Sequence, residues 1–476
     1  MIADLKPYPE YKPAGSNWLG NVPVHWEVRN MRTLIARRAE RDRPDLPLLS
    51  VARERGVFVR SMTDSAENHN VIPEDLTNYK VARAGNLVIN KMKAWQGSMG
   101  IAPCDGIVSP AYFVFDFRIA NYAYGEKLLR SRPYVSHFGQ ASDGVRVGQW
   151  DLSIPGMRQI PVLVPLPEEQ AAIVRFIDWA NSRLERTIRA KRKVIALLNE
   201  QKQAIIHRAV TRGLDLSVSL MPSGIPWLGD IPQHWEARRF KTSVGFQEGP
   251  GIMLSDFREK GVPLLRISCL AGIEATLAGC NYLSPIKVRE KWSHFEVKPG
   301  DYLLSASGST GAVRRASTEV FGAIPYTGII RLWPKTRAID MEYLRLFMSA
   351  RPFAEQISMA KSGVGIEHFG PTHLKRMWIL QPPVEEQIKI VEAVSDATVG
   401  LDAAISRLER EIELLREYRT RLVADVVTGK LDVRAIAATL PDAPAPGDDN
   451  DAGFNDDSLD DALDDTSDVD DMDAAA

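Results

Sequence analysis

The residues best suited to chemistry are few and are poorly spaced for it. His25-Trp26 and His234-Trp235 offer imidazoles, the commonest general bases, but both sit in repeated segments where packing is the expected role. His368 and His373 stand five apart with no third ligand, which suits surface or capping groups better than a metal centre. Gly308-Ser309-Thr310-Gly311 matches neither a nucleophile elbow nor a dinucleotide fingerprint and reads as a β-turn. Gly429-Lys430 lacks the Ser or Thr that should follow and the glycine that should precede it in a phosphate loop. Cys104, Cys269 and Cys280 form no even framework and have no metal-ligand spacing, so reduced thiols in a cytoplasmic protein are expected. No catalytic residue and no metal ligand is expected in this chain, which leaves binding as its chemistry.

The charge distribution agrees with a binding role. The formal net charge of the 476 residues is −2, yet from Pro441 onward there are fourteen Asp and no Lys, Arg or Glu. Residues 1–440 then hold 59 Lys and Arg against 47 acidic residues, a net of +12. A basic body of this kind favours a polyanionic partner. The acidic stretch 441–476 is poor in apolar residues and is expected to be disordered, either competing with a polyanion for the basic surface or aiding solubility. No run of 18 apolar residues and no signal-like start occurs, so neither membrane span nor secretion is expected.

The elements that must position any binding residue come in duplicate. Trp18-Leu19-Gly20, Pro23 and His25-Trp26-Glu27 return 209 residues later as Trp227-Leu228-Gly229, Pro232 and His234-Trp235-Glu236. Pro167-Glu168-Glu169-Gln170 returns 217 residues later as Val384-Glu385-Glu386-Gln387, a shift that holds to Leu214-Asp215 and Leu431-Asp432. Between these anchors each half carries its own insert of roughly 140 residues.

The segments after the inserts read as long helices. Apolar residues at steps of three and four include Leu184, Ile188, Ile195 and Leu198 in the first, and Leu401, Ile405, Leu408, Ile412 and Leu415 in the second. That spacing is the a/d seam of a coiled coil, and about 44 residues make a helix of roughly 65 Å. Pro167 with two following glutamates suits a helix start, where a missing N–H costs nothing and carboxylates face the positive dipole end. The order insert, helix, insert, helix predicts two antiparallel helices joining two pseudo-twofold-related domains.

Both inserts read as mixed α/β, so the fold class is α+β. Residues 86–90, 107–108 and 111–115 are strand-like in the first, and 300–304 and 328–333 in the second. A helix follows in each, ending near Arg132-Pro133-Tyr134 and Arg351-Pro352-Phe353. The expected divisions are a shared N-terminal segment 1–23, a first insert domain 24–164, a long helix 165–213 and a linker 214–232 that repeats the N-terminal segment. A second insert domain 233–381, a distal long helix 382–430 and the tail 441–476 complete the chain.

This pattern of duplicated openings, duplicated helix starts and unlike inserts resembles the specificity (S) subunit of type I restriction–modification enzymes over nearly all of residues 10–433. The resemblance implies that the inserts are target recognition domains, each reading one half of a bipartite, asymmetric site in double-stranded DNA. It implies two methyltransferase (M) subunits docked along the helices and restriction/translocase (R) subunits that complete the complex. Adenosylmethionine, ATP and Mg²⁺ would serve those partners, with no cofactor bound by this chain. The spacer helices would then act as a ruler for the gap between half-sites.

Base edges are read by Arg, Lys, Asn and Gln, and phosphates by Lys, Ser, Thr and backbone N–H. On that basis the first insert offers Lys91, Lys93, Trp95, Gln96 and Ser98, then Gln140, Ser142, Arg146 and Gln149. The second offers Ser305, Ser307, Ser309, Thr310, Arg314 and Arg315, then Lys361, Ser362, Gly363, Glu367 and His368. Arg53, Arg55 and Arg60 are weaker candidates. Two other functions compete: a self-contained DNA methyltransferase or nuclease, and a recognition adaptor of another methyltransferase-based defence assembly.

Overall fold

The computed structural model describes residues 5–60, 75–144, 150–215, 217–225, 228–307, 311–361 and 369–441. The acidic stretch from 442 onward lies outside them. The chain forms two compact units, one of Met1–Arg189 with Ile412–Ala476, the other of Ala190–Glu411. Each unit therefore takes the start of one long helix and the end of the other.

In the first unit β1 (Glu27–Asn30) pairs antiparallel with β6 (Pro161–Val164), with Pro161 opposite Asn30. Between them β2 (Ile35–Arg38), β3 (Leu87–Asn90), β4 (Met99–Ile101) and β5 (Tyr112–Phe117) form a sheet of order β2-β5-β3-β4. The run Leu87-Val88-Ile89 is buried on both faces, which is why it is apolar without interruption. Leu87 and Ile89 enter the main core with Trp26 and Phe176, while Val88 enters a smaller one with Val51, Val57 and Val114. Two helices follow, α1 (Tyr122–Leu129) and α2 (Arg132–Gln140).

The second unit repeats this plan. Its β7 (Glu236–Arg239) pairs with β12 (Trp378–Gln381), and its sheet has the order β8 (Val244–Glu248), β11 (Ile329–Pro334), β9 (Tyr302–Ser305), β10 (Val313–Ala316), followed by Glu274–Ala275. The helices α3 (Met341–Met348) and α4 (Arg351–Lys361) come next. Between β8 and β9 this unit begins a second sheet of four short strands where the first unit has the hairpin Leu49–Val59. In both units the Arg-Pro-aromatic triplet opens the second short helix rather than ending the first. Proline in the first turn lacks only an N–H that has no helical partner there, so it starts a helix readily.

The long helices run Pro167–Arg212 and Val384–Val427. Leu184, Ile188, Ile405 and Ile412 are buried, and Ile195, Leu198, Leu401, Leu408 and Leu415 are half-buried. Within the second unit Lys191 meets Glu411 and Lys202 meets Asp402, each at 2.5 Å, so the partner number falls as the first rises. The helices are antiparallel there. In the first unit Arg419 pairs with Glu185, and Phe176 and Ile177 share a core with Leu422 and Val426.

The duplicated motifs meet at the helix starts. His25 Nε2 lies 2.8 Å from Glu169 Oε2, and His234 Nε2 lies 2.7 Å from Glu386 Oε2. Gln170 accepts from Asn121 N and donates to the Pro165 carbonyl, while Gln387 accepts from Asp340 N and donates to the Pro382 carbonyl. Asn121 and Asp340 are themselves the N-caps of α1 and α3. Tyr124 and Tyr343, both wholly buried, donate to the carbonyls of Leu163 and Leu380 at 3.1 Å. The Glu-Glu-Gln motif thus ties the opening segment, the short helices and the last strand of each unit to one helix start.

Glycine follows the end of each long helix, at positions one residue apart in the repeat. Gly213 and Gly429 have φ of +73° and +76°, a left-handed turn that L side chains rarely adopt. A Cβ on Gly429 would stand 2.5 Å from Pro23, and one on Gly213 would stand 3.2 Å from Trp235.

Candidate nucleic-acid interface

In the first unit the loop from β3 to β4 carries one candidate cluster. A short 3-10 turn, Ala94–Gln96, ends at Gly97 with φ +90°, and that glycine packs against Val135 of α2. Lys93 is exposed at the loop tip, Gln96 is half-buried, and Trp95 donates its indole N–H to the Met92 carbonyl at 3.0 Å. The second cluster is drawn to the same place. Strand Ser142–Asp143 pairs with Asp151–Leu152, Lys91 Nζ meets Asp151 Oδ2 at 2.7 Å, and the Trp95 and Trp150 rings meet edge to face at 5.4 Å. Gln140 is exposed at the end of α2, and the Ser142 hydroxyl donates to the Phe138 carbonyl. Arg146 and Gln149 lie outside the described residues.

Ser98 corrects the expectation: it is buried beneath this loop, so its hydroxyl does not face a ligand. Ser305 in the second unit is likewise buried and donates to the Ser307 carbonyl at 2.7 Å. Both residues close the base of their hairpins, where the chain turns away from the core. Ser307 stays half-buried above Gly328.

The second unit places its own hairpin against α4 in the same way. A Cβ on Gly311 would stand 3.0 Å from Ile357, and Arg315 is exposed on β10. Arg314 is half-buried, its Nε donating to the Leu270 carbonyl at 3.2 Å. Lys361 ends α4. Ser309, Thr310, Ser362, Gly363, Glu367 and His368 lie outside the described residues.

Each unit therefore sets a hairpin against its second short helix, with cationic side chains nearby. Trp150 and Asp151 belong to this surface and were not among the expected residues. A tryptophan directly after Gln149 was the available signal, since aromatic rings interleaved with polar groups mark nucleic-acid surfaces. Arg345 was missed as well, because Met341–Met348 reads simply as an amphipathic helix. His373 Nδ1 accepts from Gly370 N at 3.1 Å, the capping role expected of it.

No protein-family model matches the chain. The type I restriction enzyme MjaVIII specificity subunit of Methanocaldococcus jannaschii is 25% identical over 279 residues, 57% of this chain and 63% of that protein. The type I restriction enzyme EcoBI specificity subunit of Escherichia coli is 26% identical over 219 residues, 45% of this chain and 43% of that protein. A chain from a solved structure on complex assembly and conformational transition of the type I R-M system superposes with a TM-score of 0.60. It is 15% identical, and the match covers 86% of this chain and 99% of that one. In sequence and in fold, this chain resembles the type I specificity subunits. The sequence match spans just under two thirds of the first relative's length and less than half of the second's. Among the described residues no helix is long and apolar enough to cross a membrane.

Proposed function

We propose that the chain is the non-catalytic DNA-recognition subunit of a type I restriction–modification complex, each unit reading one half of a bipartite, asymmetric site. The observation that carries this reading is duplication with divergence at one place. Both units hold the same hydrogen-bonded frame, from His25–Glu169 and His234–Glu386 to Tyr124 and Tyr343. The hairpin-and-helix surface mounted on that frame differs, with Lys91, Lys93, Trp95 and Trp150 in one unit and Arg314 and Arg315 in the other. A frame kept twice under two different polar, cationic surfaces suits two different sequences of one polyanion.

The partners in this reading are methyltransferase subunits on the long helices and a restriction/translocase subunit beyond them. Leu197 and Leu414 occupy the same repeat position, and they are 57% and 52% exposed. Each has an exposed apolar neighbour on its helix, Val194 beside Leu197 and Tyr418 beside Leu414. A leucine exposed at the same repeat position of both helices, each with its own apolar neighbour, supports two copies of one partner. Adenosylmethionine, ATP and Mg²⁺ belong to those partners in this reading.

The test is a genome-wide N6-methyladenine map of cells holding this chain with its neighbouring methyltransferase, compared with cells lacking the chain. A bipartite motif modified on both strands should vanish with the chain. A methylation pattern that does not change when the chain is removed counts against the reading.

A further inference from the structure

The second unit holds a cleft of about 290 Å³ between the β9–β10 hairpin and the helices α3 and α4, lined by Gly311, Val313, Arg314, Arg345, Ser349 and Ile357 among others. No carboxylate is among its described lining residues. Arg314 and Arg345 both border this one small space. Arg345 is held by its Nε, which donates to Glu342 Oε2 at 2.7 Å. Arg314 is held by Nε on the Leu270 carbonyl and by Nη1 on its neighbour Val313, both at 3.2 Å. Among the described residues, no hydrogen-bond acceptor takes the terminal nitrogens of Arg345. These bonds orient two planar forks and leave further N–H donors on each arginine.

The same place in the first unit is built oppositely. Register puts Gly100 opposite Val88 where Arg314 stands opposite Leu303, and Glu126 follows Tyr124 as Arg345 follows Tyr343. Glu126 is paired with Arg130 at 2.9 Å, and Arg130 also donates to the carbonyls of Arg53 and Glu54. A Cβ on Gly100 would fall 2.9 Å from both Glu126 Oε1 and Val57 N, so the space is filled. The common scaffold therefore needs no arginine pair here. Two like charges sharing a cleft repel each other, and an anion between them removes that cost.

We propose that the Arg314–Arg345 cleft binds one phosphate group of the DNA backbone, an anchor for the second unit with no counterpart in the first. This rests on the DNA-recognition reading and deepens it. Arg is the side chain whose fork matches phosphate oxygens two at a time, and a backbone phosphate fixes register without reading sequence. A free inorganic phosphate has the same chemistry, so the experiment separates the two sources.

The full chain is titrated with a labelled duplex of arbitrary sequence over a range of salt, as wild type, Arg314→Gln, Arg345→Gln and the double variant. Thermal melting in phosphate and in chloride at equal ionic strength accompanies each. Each neutralised phosphate contributes a slope of about −0.9 in log affinity against log salt. Each single variant should flatten the slope by about 0.9, and the fall in affinity from about 50 to 200 mM salt should shrink by about 3.5-fold. The double variant should do no more, because one phosphate is lost only once. Arg314→Gln leaves the Arg345–Glu342 pair in place, so it carries the test if Arg345→Gln melts early. A wild-type slope in both single variants overturns the proposal and leaves the recognition reading standing. Stabilisation by inorganic phosphate that the variants lose, with the duplex slope unchanged, assigns the cleft to a free anion and overturns the DNA assignment. No salt-dependent duplex binding by the wild type overturns the recognition reading, and this proposal with it.

Discussion

Glu169 and Glu386 are the residues on which each unit's frame converges, and they are not equally buried. The Glu169 side chain is 4% exposed and accepts from the buried Tyr8 hydroxyl at 2.7 Å as well as from His25. Burial and this carboxylate push the Tyr8 phenol up, so it remains a donor. Glu386 is 26% exposed and accepts from His234 and from the Trp235 indole N–H at 3.1 Å. Glu169→Ala should therefore cost about 1–3 kcal/mol, because a buried donor loses its acceptor, and Glu386→Ala should cost less. Denaturant unfolding followed by tryptophan fluorescence ranks them, and the reverse order would count against this account.

His207, on the first long helix, makes a pH-dependent prediction at the same scale. Its buried Nδ1 has no hydrogen-bond partner among the described residues. Burial pushes its imidazole below the ordinary value of 6.5; Arg351 and Arg212 push the same way and Glu355 opposes them. Folding therefore favours the neutral ring. Its contribution to stability is whole above pH 6.5 and is lost as the pH falls below that value toward the ring's lower value in the fold. His207→Gln should flatten the decline in stability measured between about pH 7 and pH 5. A decline as steep as the wild type's would place the acid sensitivity elsewhere.

At the scale of elements, the long helices carry two kinds of apolar residue with different duties. Leu198 and Leu415 are half-buried on the seam, whereas Leu197 and Leu414, one residue earlier, are more than half exposed. Leu197→Ser and Leu414→Ser should leave the melting temperature nearly unchanged, since little surface is uncovered from the fold. If the proposed complex forms, each should reduce the bound methyltransferase from two copies to one in native mass spectrometry, and the double variant should bind none. Full occupancy of the double variant would move the docking surface elsewhere. The two short helices show why elements are harder to read than helices of many turns. Eight residues of α1 and nine of α2 lie on either side of Arg130-Ser131, and local spacing alone does not separate one broken helix from two.

At the scale of the molecule, charge is partitioned along the chain: +12 over residues 1–440 against fourteen Asp beyond. Removing residues 442–476 should raise affinity for an arbitrary duplex at low salt, with the difference shrinking as salt screens it. Equal affinities across the salt range would leave the acidic stretch a solubility role. The duplicated plan and the long helices with their antiparallel seam were legible in the residues. Repeats and heptads are one-dimensional signals, repeated enough times to stand above local noise. The linear chain alone did not show that Ser98 and Ser305 face inward. Nor did it show that Trp150 joins Trp95, or that Glu169 and Glu386 collect the repeated histidines. Those facts depend on which side of a strand or turn a residue takes and on partners more than a hundred residues away. The sequence by itself determined the architecture and its twofold repetition. Only the tertiary structure decided that Arg314 and Arg345 share one cleft while Gly100 and Glu126 close theirs, because burial and charge there depend on strand register and on the segment that covers the sheet.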